Sequence, residues 1–133
     1  MSPTIIRTDD GEGAGREAAA RTAAAIAEAL AARSIAHVAL AGGTTPKRAY
    51  TLLGPLVPDW SAVHLWFGDE RCVGPDDPDA NVRMVRESLV APGATIHRIE
   101  GERGAEAAAE HYGALLGDTV LDLAMLGLGE DGH

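Results

Sequence analysis

The sequence predicts an α/β fold of the Rossmann-like kind, with a doubly wound, mostly parallel β-sheet and helices on both faces. Three observations lead to this prediction. Short apolar runs without polar alternation are typical of strands that are covered on both faces. Alanine-rich or amphipathic stretches with good helix propensity lie between these runs. Turn residues separate the two kinds of segment, so strands and helices alternate along the chain.

The first elements are expected to be a strand and a long helix. Residues 4–8 (TIIRT) predict a short strand, which the glycine-rich segment 9–15 is expected to end. The alanine-rich stretch 17–33 has high helix propensity. It places Glu17 four residues before Arg21, a spacing that favours an ion pair on the helix surface.

The middle of the chain predicts two buried strands on either side of a helix. Residues 35–41 and 63–67 are mostly apolar, as strands buried on both faces are. Residues 46–53 predict the helix, with Pro46 in its first turn. A long polar loop is expected over residues 68–79.

Two further helices and two strands are expected in the remaining sequence. Residues 80–90 predict a helix that Asp79 can cap. A shorter strand is expected over 95–99, and a helix over 104–117, whose last residue is a glycine. Residues 121–127 predict the final strand.

The composition narrows the classes of function. A formal charge of −9 argues against nucleic-acid binding, which needs a basic face. No apolar stretch approaches the roughly 20 residues of a membrane span, and the first residues lack the features of an export signal. The one cysteine, Cys72, excludes an internal disulfide and fits a reducing compartment. We therefore expect a cytoplasmic protein with no membrane or nucleic-acid partner.

Three chemically loaded segments each follow an apolar strand. They are residues 41–46 (AGGTTP), 68–71 (GDER) and 127–133 (GLGEDGH). Ligands of open parallel sheets bind beyond the carboxyl ends of the strands. The sequence therefore predicts that the three segments meet at one edge of the sheet and form one site.

The first segment has the features of an anion cradle. Gly42 and Gly43 allow the backbone a sharp turn and close approach, and Thr44 and Thr45 add hydroxyl groups. A helix that starts here points free N–H groups and its positive dipole end at the same place, which suits phosphate. An ordinary strand-to-helix turn explains the same residues, and the spacing is not that of a Walker loop.

The second segment places three charges at the end of a strand. Arg71 can donate two hydrogen bonds to a phosphate or stabilise an oxyanion. Asp69 or Glu70 can orient it or act as a base. The alternative is an exposed turn with an internal salt bridge. Cys72 beside Arg71 has no evident base partner, and we interpret it as a bystander.

The last segment offers a candidate general base. Asp131 and His133 flank a glycine, and an aspartate near an imidazole can fix its tautomer and stabilise its charged form. The same residues match the spacing G-x-G-x-x-G of dinucleotide sites. We reject that interpretation because Glu130 and Asp131 would repel a pyrophosphate in the loop.

In order and spacing, three longer stretches resemble the 6-phosphogluconolactonases, within the glucosamine-6-phosphate isomerase/6-phosphogluconolactonase superfamily. They are residues 40–50, 66–84 and 121–133. The resemblance covers essentially the whole chain but only about the first half of a typical member. It implies a single α/β domain over residues 1–133 of the NagB/RpiA type, incomplete at its C-terminus. We expect the missing C-terminal half, as a second chain or a continuation, to be needed for activity.

The resemblance also implies an activity and roles for individual residues. The expected reaction is hydrolysis of 6-phosphoglucono-1,5-lactone to 6-phosphogluconate, without a metal or an organic cofactor. His133 matches the general base, Asp131 its acidic partner, and Arg71 a substrate-binding arginine. The matching residues of the phosphate loop are Gly42, Gly43, Thr44 and Thr45; Asp69 is expected to join Arg71 in binding the sugar.

Two other functions stay open. The related glucosamine-6-phosphate deaminases share the phosphate loop and the aspartate-glycine-histidine turn, although they typically carry tyrosine at the position that resembles Arg71. A sugar-phosphate-binding module without catalysis would keep the phosphate loop and lack a working base.

Overall fold

The computed structural model describes residues 2–133 as four strands and four α-helices around one sheet. The strands are β1 (Ala36–Leu40), β2 (Val63–Phe67), β3 (Thr95–Ile96) and β4 (Leu123–Ala124). The α-helices are α1 (Gly11–Arg33), α2 (Thr44–Leu53), α3 (Asn81–Ser88) and α4 (Ala105–Leu116). Short 3₁₀ helices span Gly54–Leu56 and Gly101–Arg103.

The sheet is parallel throughout, with strand order β3-β2-β1-β4. The central pair is the most extensive, with Ala36 opposite Val63 and Leu40 opposite Phe67. The chain moves outward from β1 through β2 to β3, and then returns so that β4 pairs with the other side of β1. The expected α/β class with a parallel sheet is therefore confirmed.

Side chains alternate between the two faces of the sheet along each strand. Both faces carry apolar or aromatic side chains, and helices cover both of them. Helices α1, α2 and α3 pack on one face and form the main core with the strands. Large, fully buried members of this core include Ile26, Leu40, Tyr50, Leu53, Leu65, Val82 and Val85. On the opposite face, Tyr112 of α4 meets the ring of Trp66 edge-on.

The expected first strand is wrong. Residues 4–8 form no strand, and the side chain of Ile5 is 79% exposed. A strand is stable only when a neighbouring strand satisfies its backbone, and this segment pairs with none of β1–β4. Its β-favouring composition was therefore a weak signal.

The glycine-rich segment 9–15 does not interrupt the structure, since α1 already begins at Gly11. The Asp10 carboxylate caps the helix by accepting a hydrogen bond from the N–H of Gly13 at 2.8 Å. Gly15 lies so close to α2 that a Cβ there would be 3.1 Å from Cγ of Arg48. Close packing between helices thus explains a glycine that otherwise suggests a break.

Most of the other expected elements are confirmed, with different ends. The strand over 63–67 is as predicted, α4 is one residue shorter at each end than the predicted helix, and Glu17 and Arg21 lie 3.5 Å apart. The outer strands β3 and β4 contain only two residues each. None of the helices in residues 2–133 is both long and apolar enough to cross a membrane.

Candidate functional site

Loops that follow β1, β2 and β4 leave the same edge of the sheet and enclose a cleft of about 780 Å³. Two backbone hydrogen bonds extend the ladder and hold the loops together. The N–H of Gly68 donates to the carbonyl of Leu40 at 3.0 Å, and that of Met125 to the carbonyl of Ala39 at 2.9 Å. The cleft lies where the strand order reverses around β1, which is the usual ligand position in open α/β sheets.

Most residues of the expected site line this one cleft. They are Gly42, Gly43, Thr44, Thr45, Asp69, Arg71 and His133. Asp131 is not among the lining residues. The structure thus brings together the three segments that lie far apart in the sequence, while the roles of their side chains stay predictions.

The loop after β1 has the geometry of an anion cradle. Gly43 precedes α2 with a φ of +110°, a conformation that side chains rarely adopt. Helix α2 begins at Thr44, two residues earlier than predicted, so both threonines belong to its first turn. The first intrahelical bond runs from the N–H of Lys47 to the carbonyl of Gly43. The N–H groups of Thr44 and Thr45 therefore stay available to a ligand.

A buried tyrosine fixes the start of the cradle. The hydroxyl of Tyr50 accepts a hydrogen bond from the N–H of Ala41 at 2.8 Å and donates one to its carbonyl at 2.5 Å. Burial raises the pKa of Tyr50, so the hydroxyl keeps its proton. In the sequence, the only sign that Tyr50 belongs to the site is its place one turn after the loop that follows β1.

The end of β2 is held in the same way from the other face of the sheet. The hydroxyl of Tyr112 accepts from the N–H of Phe67 at 2.7 Å and donates to its carbonyl at 3.0 Å. Burial raises the pKa of this tyrosine as well. Two strand ends that carry the site are therefore each bonded to a tyrosine hydroxyl.

Glu70 caps α3 across the polar loop. Its carboxylate accepts hydrogen bonds from the N–H groups of Asn81 at 2.6 Å and Val82 at 3.0 Å, and from that of Arg71 at 2.9 Å. A carboxylate at this end of the helix also complements its dipole. The expectation that Asp79 caps α3 is wrong, because Ala80 is the preceding residue and its side chain makes no cap.

Asp69 and Arg71 line the cleft on either side of Glu70. The Arg71 guanidinium makes no hydrogen bond or ion pair with another described residue, so it is available for an anionic ligand. Its backbone is held by close packing: a Cβ at Gly101 would lie 2.0 Å from the Arg71 carbonyl oxygen. Cys72 is exposed and does not line the cleft.

The loop after β4 ends in a tight turn around Gly132, whose φ is +83°. The carboxylate of Asp131 accepts a hydrogen bond from the backbone N–H of His133 at 3.0 Å. The carbonyl of His133 in turn accepts from the N–H of Gly129 at 2.5 Å. Asp131 thus orders the backbone that presents His133, whereas its predicted bond to the imidazole is not formed in this structure.

Three other histidines form a ring cluster away from the cleft. Nδ1 of His64 lies 2.8 Å from Nε2 of His97, and Trp66 donates to Nδ1 of His37 at 3.1 Å. Trp66 also stacks on His97 with ring centroids 4.0 Å apart. Burial, with a smaller contribution from the charge of His64, lowers the pKa of His37 and of His97. Within residues 2–133 no group of three or more histidine, cysteine or acidic side chains is arranged to hold a metal ion.

Residues 9–133 match the family model described as glucosamine-6-phosphate isomerases/6-phosphogluconolactonase. A 6-phosphogluconolactonase of Aggregatibacter actinomycetemcomitans is 36% identical over 110 residues, which cover 74% of this chain and 47% of that protein. The chain spans about half the length of the curated relatives it matches.

Two solved structures are also similar to this chain. The crystal structure of a 6-phosphogluconolactonase from Shewanella baltica superposes with a TM-score of 0.89 at 31% identity, over 98% of this chain and 59% of that one. A monomeric glucosamine-6-phosphate deaminase superposes with a TM-score of 0.79 at 25% identity, over 98% of this chain and 57% of that one.

Proposed function

Because the chain belongs to the glucosamine-6-phosphate isomerase/6-phosphogluconolactonase family, we propose that its protein hydrolyses 6-phosphoglucono-1,5-lactone to 6-phosphogluconate. One observation carries the proposal within the family. Thr44 and Thr45 at the start of α2, Arg71 and His133 all line a single cleft, and the Arg71 guanidinium bonds no other described residue. A phosphorylated sugar lactone needs those three kinds of group.

The phosphate of the substrate would bind in the loop after β1. The first turn of α2 offers free N–H groups there, Thr44 and Thr45 line the cleft, and the helix dipole favours an anion. Arg71 and Asp69 would contact the sugar, the guanidinium as donor and the carboxylate as acceptor for hydroxyl groups. The cleft, at about 780 Å³, has the size of a small-molecule site.

Hydrolysis would proceed by general-base catalysis. The imidazole of His133 takes a proton from a water molecule, whose oxygen attacks C1 of the lactone. The tetrahedral oxyanion then collapses, the bond from C1 to the ring oxygen breaks, and the ring oxygen receives the proton from the imidazolium of His133, which becomes neutral again. A positioned base contributes about 10²- to 10⁴-fold, and donors aimed at the oxyanion contribute further. Asp131 supports this step by ordering the backbone of His133.

The same proposal includes the wider context of the chain. Residues 1–133 would form one α/β domain that is the N-terminal part of a larger domain, since the matched relatives are about twice as long. The remaining part, as a continuation or a second chain, would complete the site. A cytoplasmic location fits the single free cysteine, Cys72.

Lactone hydrolysis above the spontaneous rate, measured with the full-length protein, tests the proposal. We expect His133→Ala to lower kcat by about 10²-fold or more with little change in KM. Arg71→Ala should instead raise KM. Lys47→Ala is a matched control, because Lys47 is an exposed cation next to the cradle that does not line the cleft. Small and equal effects of the first two variants would contradict the assigned roles.

Deamination and isomerisation of glucosamine 6-phosphate is the second candidate, which the superposition on a solved deaminase favours. Release of ammonia from that sugar separates the two activities. Ammonia release without lactone hydrolysis would contradict the proposed function and assign deamination instead. Binding of 6-phosphogluconate with neither activity would indicate a binding module without catalysis.

A further inference from the structure

Asn81 occupies a position in the cleft that neither the expected site nor the proposed mechanism uses. It is the first residue of α3, lines the cleft, and is only 6% exposed. Its side-chain amide donates to both the carboxylate and the backbone carbonyl of Asp69, each at 3.1 Å. Asn81 therefore restrains Asp69 through two hydrogen bonds.

The other end of the same amide touches the phosphate loop. A Cβ at Gly42 would lie 2.4 Å from Oδ1 of Asn81, so this side chain and the loop backbone are in close packing. The backbone of Asn81 is itself fixed, because its N–H donates to Glu70 at 2.6 Å. The amide thus has little freedom to move away from either neighbour.

We propose that Asn81 is a positioning residue that sets the carboxylate of Asp69 relative to the phosphate loop at Gly42. This rests on the proposed function, in which those two elements bind opposite parts of one sugar phosphate. An amide suits the position because its NH₂ group donates to a carboxylate, whereas an aspartate would place a second negative charge there. Asn81 acts on the substrate through Asp69, without contacting the reacting atoms.

A double-mutant cycle in the full-length protein tests this role. Asn81→Ala should lower kcat/KM about 10- to 100-fold, the range expected for a lost hydrogen bond to a charged group. In the Asp69→Ala background the same change should have less than about a twofold effect, because the group that Asn81 positions is gone. Asn81→Asp should lower kcat/KM as well, and its effect should diminish at lower pH as the carboxylate pair takes up a proton.

Ser88→Ala is the matched control, since Ser88 is a buried polar residue of the same helix and its hydroxyl has no partner among the described residues. It should leave kcat/KM unchanged. A purely structural role predicts that the effect of Asn81→Ala persists undiminished after Asp69→Ala, and this result would overturn the proposal. If Asn81→Ala does not fold, the Asn81→Asp variant and its pH dependence decide.

A second readout separates this proposal from the proposed function. The dissociation constant for 6-phosphogluconate is measured by calorimetry for the same four proteins of the cycle. If the wild type binds this compound but does not hydrolyse the lactone, the proposed function fails and the cycle is evaluated on binding. Coupling between Asn81 and Asp69 in binding supports the positioning role, and additive effects overturn it.

Discussion

Replacing Tyr50 by phenylalanine tests whether the start of the loop after β1 is held by a side chain. The substitution removes one oxygen from a fully buried residue and leaves the ring in place. It also leaves both the N–H and the carbonyl of Ala41 without the partner they have in the native protein. Ala41 is itself buried, at 9% exposure.

The expected loss of stability follows from those two backbone groups. An unsatisfied buried polar group costs about 1–3 kcal/mol. Because Ala41 borders the cleft, water can reach part of it, and we take the lower end of that range for each group. The free energy of unfolding should therefore fall by about 2–3 kcal/mol. The loop would also lose order, so KM for the substrate of the proposed function should rise.

Urea unfolding at neutral pH, with the slope m compared between variants, measures this loss. Thr51→Val is a matched control on the same helix, because it removes an exposed hydroxyl that bonds only the carbonyl of Lys47. The control should change the free energy of unfolding by less than about 0.5 kcal/mol. A loss as small as this for Tyr50→Phe would refute the argument that the hydroxyl holds the loop.

Three further predictions concern pH and close packing. Burial raises the pKa of Tyr50 and Tyr112 in the folded state, so the stability they contribute should be intact below the unfolded pKa of about 10 and decrease as the pH rises above it. Urea unfolding between pH 8 and 11 checks this. An equally steep decrease of the free energy of unfolding with pH in Tyr50→Phe would contradict it. The pKa of His37 and of His97 is lowered, so the stability they contribute is fully present above the unfolded pKa of about 6.5 and is lost as the pH falls toward the lowered folded values. His97→Gln should therefore weaken the pH dependence of the free energy of unfolding between pH 7 and 5. An unchanged dependence would show that the ring cluster is not its source. Gly101→Ala should destabilise the protein by about 1–3 kcal/mol and raise KM, because its Cβ would overlap the Arg71 carbonyl. Gly113→Ala is the control, because a Cβ there meets no atom within 4 Å. It should leave the thermal unfolding temperature unchanged or raise it, and it should leave KM unchanged.

Features that depend on local sequence were predictable. The strand over Val63–Phe67 is apolar at four of its five positions and lies between turn residues, a pattern typical of a buried strand. The meeting of the three loops was also predictable, because parallel strands place their carboxyl ends at one edge of the sheet. Once the strand–helix alternation is recognised, the edge of the sheet at which the loops meet can be predicted without knowledge of any contact.

Features that depend on contacts between distant residues were not. Residues 4–8 look like a strand by composition but pair with none of β1–β4, and Glu70 caps a helix that starts eleven positions later in the chain. Tyr50 and Asn81 looked like ordinary helix residues until the fold placed them beside Ala41 and Asp69.

The sequence by itself determined the fold class and the three loop segments that meet at the cleft. Only the tertiary structure decided which side chains hold those residues in place. The physical reason is that apolar periodicity is a property of neighbouring residues, whereas a hydrogen bond depends on positions within about 3.5 Å in space, whatever their separation along the chain.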